Sequence, residues 1–144
     1  MDVEHTGRDV LFTLRDFLRA NLVNPKDPEM SGDEWIFTAR HEHDIQYPMV
    51  IVEIQDGTTS YVRDLEEGVM VVPYTLMVRM KVWADNVKHR DQIVDSITYH
   101  LLHGEDYFSE RGIEMLSLEA KEIEDGKDGS HARTLKVSFE VLVE

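Results

Sequence analysis

Residues 73–102, PYTLMVRMKVWADNVKHRDQIVDSITYHLL, join two regular patterns with almost no linker. In the first half the side chains alternate. Tyr74, Leu76, Val78, Met80 and Val82 share one face; Thr75, Met77, Arg79, Lys81 and Trp83 share the other. The spacing predicts a strand over 68–84. From Val87 the period changes to that of a helix, and Val87, Arg90, Ile93, Val94, Ile97 and Leu101 form an inward stripe with the stem of His100 beside them. Asp85 or Asn86 suits the N-cap, and Gly104 suits the C-terminal cap. Enzymes often place a glycine loop, a nucleophile or a metal ligand where a strand enters a helix. Here the junction reads Trp83-Ala84-Asp85-Asn86-Val87 and carries none of these. One face of the strand is core. The other mixes cations with large apolar groups, which suits a partner or the chain's own loops.

Upstream, Thr6 with Asp9 three residues on has the form of a capping box. Val10, Leu11, Leu14, Phe17, Leu18 and Leu22 then follow helical spacing, and Asn24-Pro25 ends that helix. The run NPKDPEMSGDE reads as a loop, and 35–39 as a short strand with Trp35 anchoring a core edge. HEHDIQ reads as a polar turn. The apolar run Met49-Val50-Ile51-Val52 with Ile54 predicts a mostly buried strand over 47–55. DGTTSYVRDLEEG reads as a loop or hairpin tip. Downstream, EDYFSERG reads as a loop, 113–122 as a strand, EDGKDGS as a hairpin turn and 132–143 as the closing strand. The order α-β-β-β-α-β-β, with short turns between most neighbours, predicts one α+β domain over 1–144. Its sheet is mainly antiparallel, of about five strands, with two helices packed on one face. Leu76, Val78, Met80, Ile93, Ile97, Leu101, Val137 and Phe139 are the expected shared core.

The chain has 144 residues, the size of one domain, and 42% of them are hydrophobic, enough for one core. It has no Cys, which excludes disulfides, thiolate nucleophiles and Cys-ligated metals. The opening MDVEHTGRD lacks an apolar core, so no signal peptide is expected, and no apolar run approaches membrane-spanning length. A soluble protein made in the cytoplasm, without membrane contact, is the expectation. Asp plus Glu number 29 against 15 Lys plus Arg, a formal charge of −14. Such a surface disfavours nucleic-acid binding but permits DNA to pass without sticking. The acids are scattered, as on a solvated surface, and adaptation to high salt is the sharper alternative, which six Lys against nine Arg also favours.

The strongest chemical motif is HEHD, His41 to Asp44. His-x-His places two imidazoles on one side of an extended segment, and imidazole suits zinc or nickel. A third ligand would have to come from His5, His89, His100, His103 or His131, none at diagnostic spacing. A polar turn is the plainer reading, and no cofactor or metal is expected. His100 and His103 lie three apart on the helix without an intervening Glu, which fits a helix C-terminus better than a metalloprotease. No serine has a nucleophile-elbow context, and no phosphate loop or dinucleotide fingerprint is present. Trp83, at the strand end, is either a lid over the helix or a contact for a neighbouring subunit.

The frame resembles the tail terminator (tail completion) proteins of tailed viruses. A first helix ends in a Pro-rich loop; strands follow, then YTLMVRMKVWADNVKHRDQIVDSITYHLL, then a C-terminal hairpin. In that family an aromatic-Ala pair ends a strand that enters an amphipathic helix; the matching residues are Trp83-Ala84 and Arg90, Asp91, Ile93, Asp95, Ile97 and Leu101. The resemblance implies a non-enzymatic virion protein at the tail and neck, assembled in the host cytoplasm. It implies a homohexameric ring that caps the tail tube, joins it to the head-neck connector proteins and lets DNA pass through its lumen. Loops 24–34, 55–68 and 104–112 would reach neighbours. Two complementary patches are expected at the subunit interface: the mixed face Met77, Arg79, Lys81 and Trp83, and the acidic loop carrying Asp64, Glu66 and Glu67. The alternatives are a head-closure or tube subunit of the same virion, a small metal-dependent hydrolase built on His41, Glu42 and His43, and an α+β ligand-binding or regulatory domain.

Overall fold

The computed structural model describes residues 3–38, 46–59, 72–126 and 128–143. The chain runs through α1 (Val3–Asn21), a 3-10 turn (Gly32–Glu34), β1 (Ile36–Phe37), β2 (Met49–Thr59), β3 (Val72–Ala84), α2 (Val87–Leu102), α3 (Glu105–Ser109), β4 (Ile113–Asp125) and β5 (His131–Val143). The strands form one sheet in the order β1-β2-β3-β5-β4. Only the short β1 runs parallel to its neighbour β2; the other three pairings are antiparallel. The fold is α+β, as the element order predicts.

The 13-residue β3 lies at the centre and alternates strictly between buried and half-buried positions. Its inward residues Tyr74, Leu76, Val78, Met80, Val82 and Ala84 are at most 7% exposed. Leu135, Val137 and Phe139 of β5 lie opposite Met80, Val78 and Leu76. Over this face pack the stripes of α1 (Val10, Leu14, Leu18) and α2 (Ile93, Ile97, Leu101), all in one core cluster. The eight residues expected to share the core are all within it. Fully burying a side chain of this kind contributes about 1.5–3 kcal/mol, so this one layer dominates the stability.

Several elements depart from the sequence expectation. Helix α1 begins at Val3, so Thr6 lies inside it rather than capping it. No residue between Val3 and Thr6 is a helix breaker, and nothing stops the extra turn. The turn after α1 is held by buried Asn24, whose Oδ1 accepts from the amides of Lys26 and Asp27 at 2.9 and 3.2 Å. Strand β2 continues to Thr59 past a bulge between Ile54 and Asp56, because the long β3 offers it a partner to Tyr74. Val87 is 44% exposed, not inward: it is the first helical residue, directly after the N-cap Asn86.

The expected loop after α2 contains a helix, α3. Its five residues place Phe108 at 0% exposure, between the rings of Phe17 (5.0 Å) and Phe139 (5.3 Å). Gly104 is not a left-handed cap. Its φ is −104°, and a Cβ there would stand 2.5 Å from Phe17 Cζ and 2.8 Å from the His100 carbonyl oxygen. The glycine is set by close packing, not by backbone handedness. All three helices thus lie on one side of the sheet, where two were expected.

Candidate functional site

The other side of the sheet carries no layer among the described residues. The register of β2, β3, β5 and β4 decides what it presents. Trp83 pairs with Met49 and Ala132, Lys81 with Ile51 and Thr134, Arg79 with Glu53 and Lys136, Met77 with Asp56 and Ser138. Glu119 of β4 lies opposite Lys136 and Glu124 opposite Ala132. Met77, Arg79, Lys81 and Trp83 therefore stand in one row down the middle of this open face, each half-buried. Trp83 points away from all three helices, so it is not a lid over α2.

The cations in this row are held sideways by acids of the flanking strands. Arg79 Nε donates to Glu53 Oε1 at 3.0 Å, and its Nη2 donates to the same oxygen. Lys81 Nζ donates to Glu124 Oε2 at 2.7 Å and sits 4.4 Å from the centre of the Trp83 ring. Trp83 in turn stacks with Tyr47 at 6.4 Å. Glu119 is held below the usual carboxylate range by its hydrogen bond from Lys121, with Lys136 adding attraction. The middle strands are thus cationic and the flanking ones anionic. Four cations (Arg79, Lys81, Lys121, Lys136) stand among four carboxylates (Glu53, Asp56, Glu119, Glu124), so this region is near neutral in a chain of formal charge −14.

Sequence alternation places Met77, Arg79, Lys81 and Trp83 on one face. It misses Glu53, Glu124 and Lys136 as their neighbours, because cross-strand register is not visible in a single strand. Asp64, Glu66 and Glu67, the other half of the expected interface, lie outside the described residues, and so do His41, Glu42, His43 and Asp44. Among the described residues no three His, Asp or Glu side chains converge as a metal site. His100 and His103 both contact the Tyr99 ring, at 5.3 and 4.2 Å.

A cleft of about 630 Å³ opens at the other end of α1, between the Pro-rich loop and the start of β2, with Met30, Trp35, Tyr47 and Asp85 in its walls. Trp35 is 2% exposed and its Nε1 has no acceptor among the described residues. Lys26 Nζ donates to Asp85 Oδ2 at 2.8 Å across the rim, which holds the Asp85 carboxyl below its ordinary value. This pair ties the Pro-rich loop to the strand–helix junction, while Asp27 and Glu34 add two further carboxylates to the walls. No helix among the described residues is long and apolar enough to cross a membrane. Comparison with family models and with curated proteins returns no match to this sequence.

Proposed function

We propose that the chain is a structural subunit that works by assembling with copies of itself, as a tail-terminator-like protein of a tailed virus. In this reading a homomeric ring, of six copies as in the family it resembles, caps the tail tube and joins it to the head-neck connector while DNA passes through the lumen. The observation that carries it is the open face of the sheet. The central strand β3 presents half-buried Met77 and Trp83 beside charge-balanced rows, with no element across them among the described residues. A surface of large apolar groups between compensated charges suits docking, because the anchors desolvate while the charges set the register. On a chain of charge −14 it is also a place where a second copy meets little net repulsion.

The test is the mass of the purified protein by light scattering across a concentration series, followed by electron microscopy with isolated tail tubes. Rings that seat on tube ends support the reading. A monomer at every concentration that leaves the tubes uncapped removes it. Dialysed protein is assayed for zinc and nickel in parallel. Stoichiometric metal lost in the His41→Ala, His43→Ala variant would replace the ring reading with the hydrolase.

A further inference from the structure

We infer that the open face of the sheet receives the outer ridge of α2 from a second copy of the chain. This rests on the assembly reading above and assigns the surface that fills the face. The first observation is an electrostatic conflict within the face. Arg79 and Lys136 are directly opposite on adjacent central strands, with Lys81 two residues along. Like charges in that position destabilise a sheet. Glu53 and Glu124 relieve Arg79 and Lys81 from the side, and Glu119 lies opposite Lys136 and attracts it, yet no carboxylate among the described residues hydrogen-bonds Lys136. The middle of the face therefore suits an incoming carboxylate.

The second observation is on α2. Its inward stripe is buried, yet Tyr99 and Leu102 on the outer side are 58% and 57% exposed, one turn apart. With Asp95, and with Asp91 whose carboxylate also accepts from Arg90 Nε at 3.0 Å, they form a ridge of acid, acid and apolar residues at i, i+4, i+8 and i+11. Each step from Asp91 to Asp95 to Tyr99 advances about 6 Å along a helix. Each step from Lys81 to Arg79 to Met77 advances about 6.8 Å along a strand. Laid along β3, the ridge sets Asp91 on Lys81, Asp95 on Arg79 between the two cationic strands, and Tyr99 on Met77. Charges and apolar groups then match in order.

The geometry also sets the mode of assembly. α2 and the open face lie on opposite sides of the sheet, so each copy offers one surface forward and the other backward. Such contacts are heterologous: they close into a ring when the rotation per step divides a full turn without rise, and build an open filament when it does not.

Two exposed substitutions test the pairing in the full chain. Asp95→Arg and Arg79→Asp should each raise the concentration needed for assembly at least about tenfold, since each places like charges in contact. Mixed in equal amounts they should assemble again, because either ridge then meets a face of opposite charge. Tyr99→Ala should weaken assembly without changing the circular dichroism of the monomer. If Asp95→Arg or Tyr99→Ala assembles like the wild type, or if the mixture stays dispersed, the helix-on-sheet contact is wrong and the ring must be built otherwise. If the wild type itself never assembles, the assembly reading has failed and this contact goes with it.

Discussion

At the scale of single residues, burial and charge make separate demands. Ile97 is 0% exposed at the middle of α2 and packs within the main cluster. Replacing it with Ala removes buried methylenes and leaves a cavity, so Ile97→Ala should cost about 2–5 kcal/mol. A urea unfolding curve checks this, and an unshifted midpoint would mean that Ile97 is not in the core. Tyr74 shows the other demand. It is 7% exposed, and its phenol is held above its ordinary 10.0, first by loss of solvent and then by Asp56. A raised value in the fold means that Tyr74 adds stability below the unfolded value and loses it as pH rises through the folded one. The urea midpoint should therefore fall as pH rises above about 10, and Tyr74→Phe should lose less over the same rise. An identical decline in both proteins would place the alkaline sensitivity elsewhere.

At the scale of elements, the corner between α2 and α3 is the tightest joint. α2 ends at Leu102 and is capped by His103, whose amide donates to the Tyr99 carbonyl at 3.1 Å, and Gly104 then passes under Phe17. Gly104→Ala would push a methyl into that ring and into a backbone carbonyl that cannot move. The expected loss is about 1–3 kcal/mol, again read from denaturant unfolding. A neutral result would show that the corner has room to shift. The edges of the sheet are handled differently. β1 has only two residues. β4 is long, but its pairing with β5 is broken by two register shifts, and Glu119, Lys121, Glu122 and Glu124 line its outer half. Bulges and charges at an edge oppose the addition of further strands. The assembly proposed above would accordingly use the face rather than the β4 edge.

At the scale of the whole molecule, the charge of −14 acts on everything at once. Carboxylates spread over a body of this size repel one another, and the compact state suffers most. Raising sodium chloride from about 10 mM to 100 mM shortens the screening length from about 30 Å to about 10 Å. The urea midpoint should rise over that range. A fall would mean that ion pairs such as Lys26–Asp85 and Lys81–Glu124 outweigh the general repulsion. Because exposed pairs are worth at most about 1 kcal/mol each, the general term is expected to win.

The amino-acid sequence alone determines the two periodicities around Ala84, and with them the central strand, the long helix and the residues that face the core. Local side-chain pattern carries that information because a residue's face depends only on its position in its own element. It also places Met77, Arg79, Lys81 and Trp83 together on the opposite face. Only the tertiary structure decides what those four residues meet. Glu53 is 26 residues away from Arg79 and Glu124 is 43 from Lys81, and each contact depends on the register between strands. Gly104 has the composition of a cap but the role of a spacer, which becomes visible only with Phe17 beside it. The five residues of α3 are too few to show a period, and they are helical because Phe108 fills a gap between α1 and β5 that no local signal describes. Pattern within an element is a property of the chain; pairing between elements is a property of the packed whole.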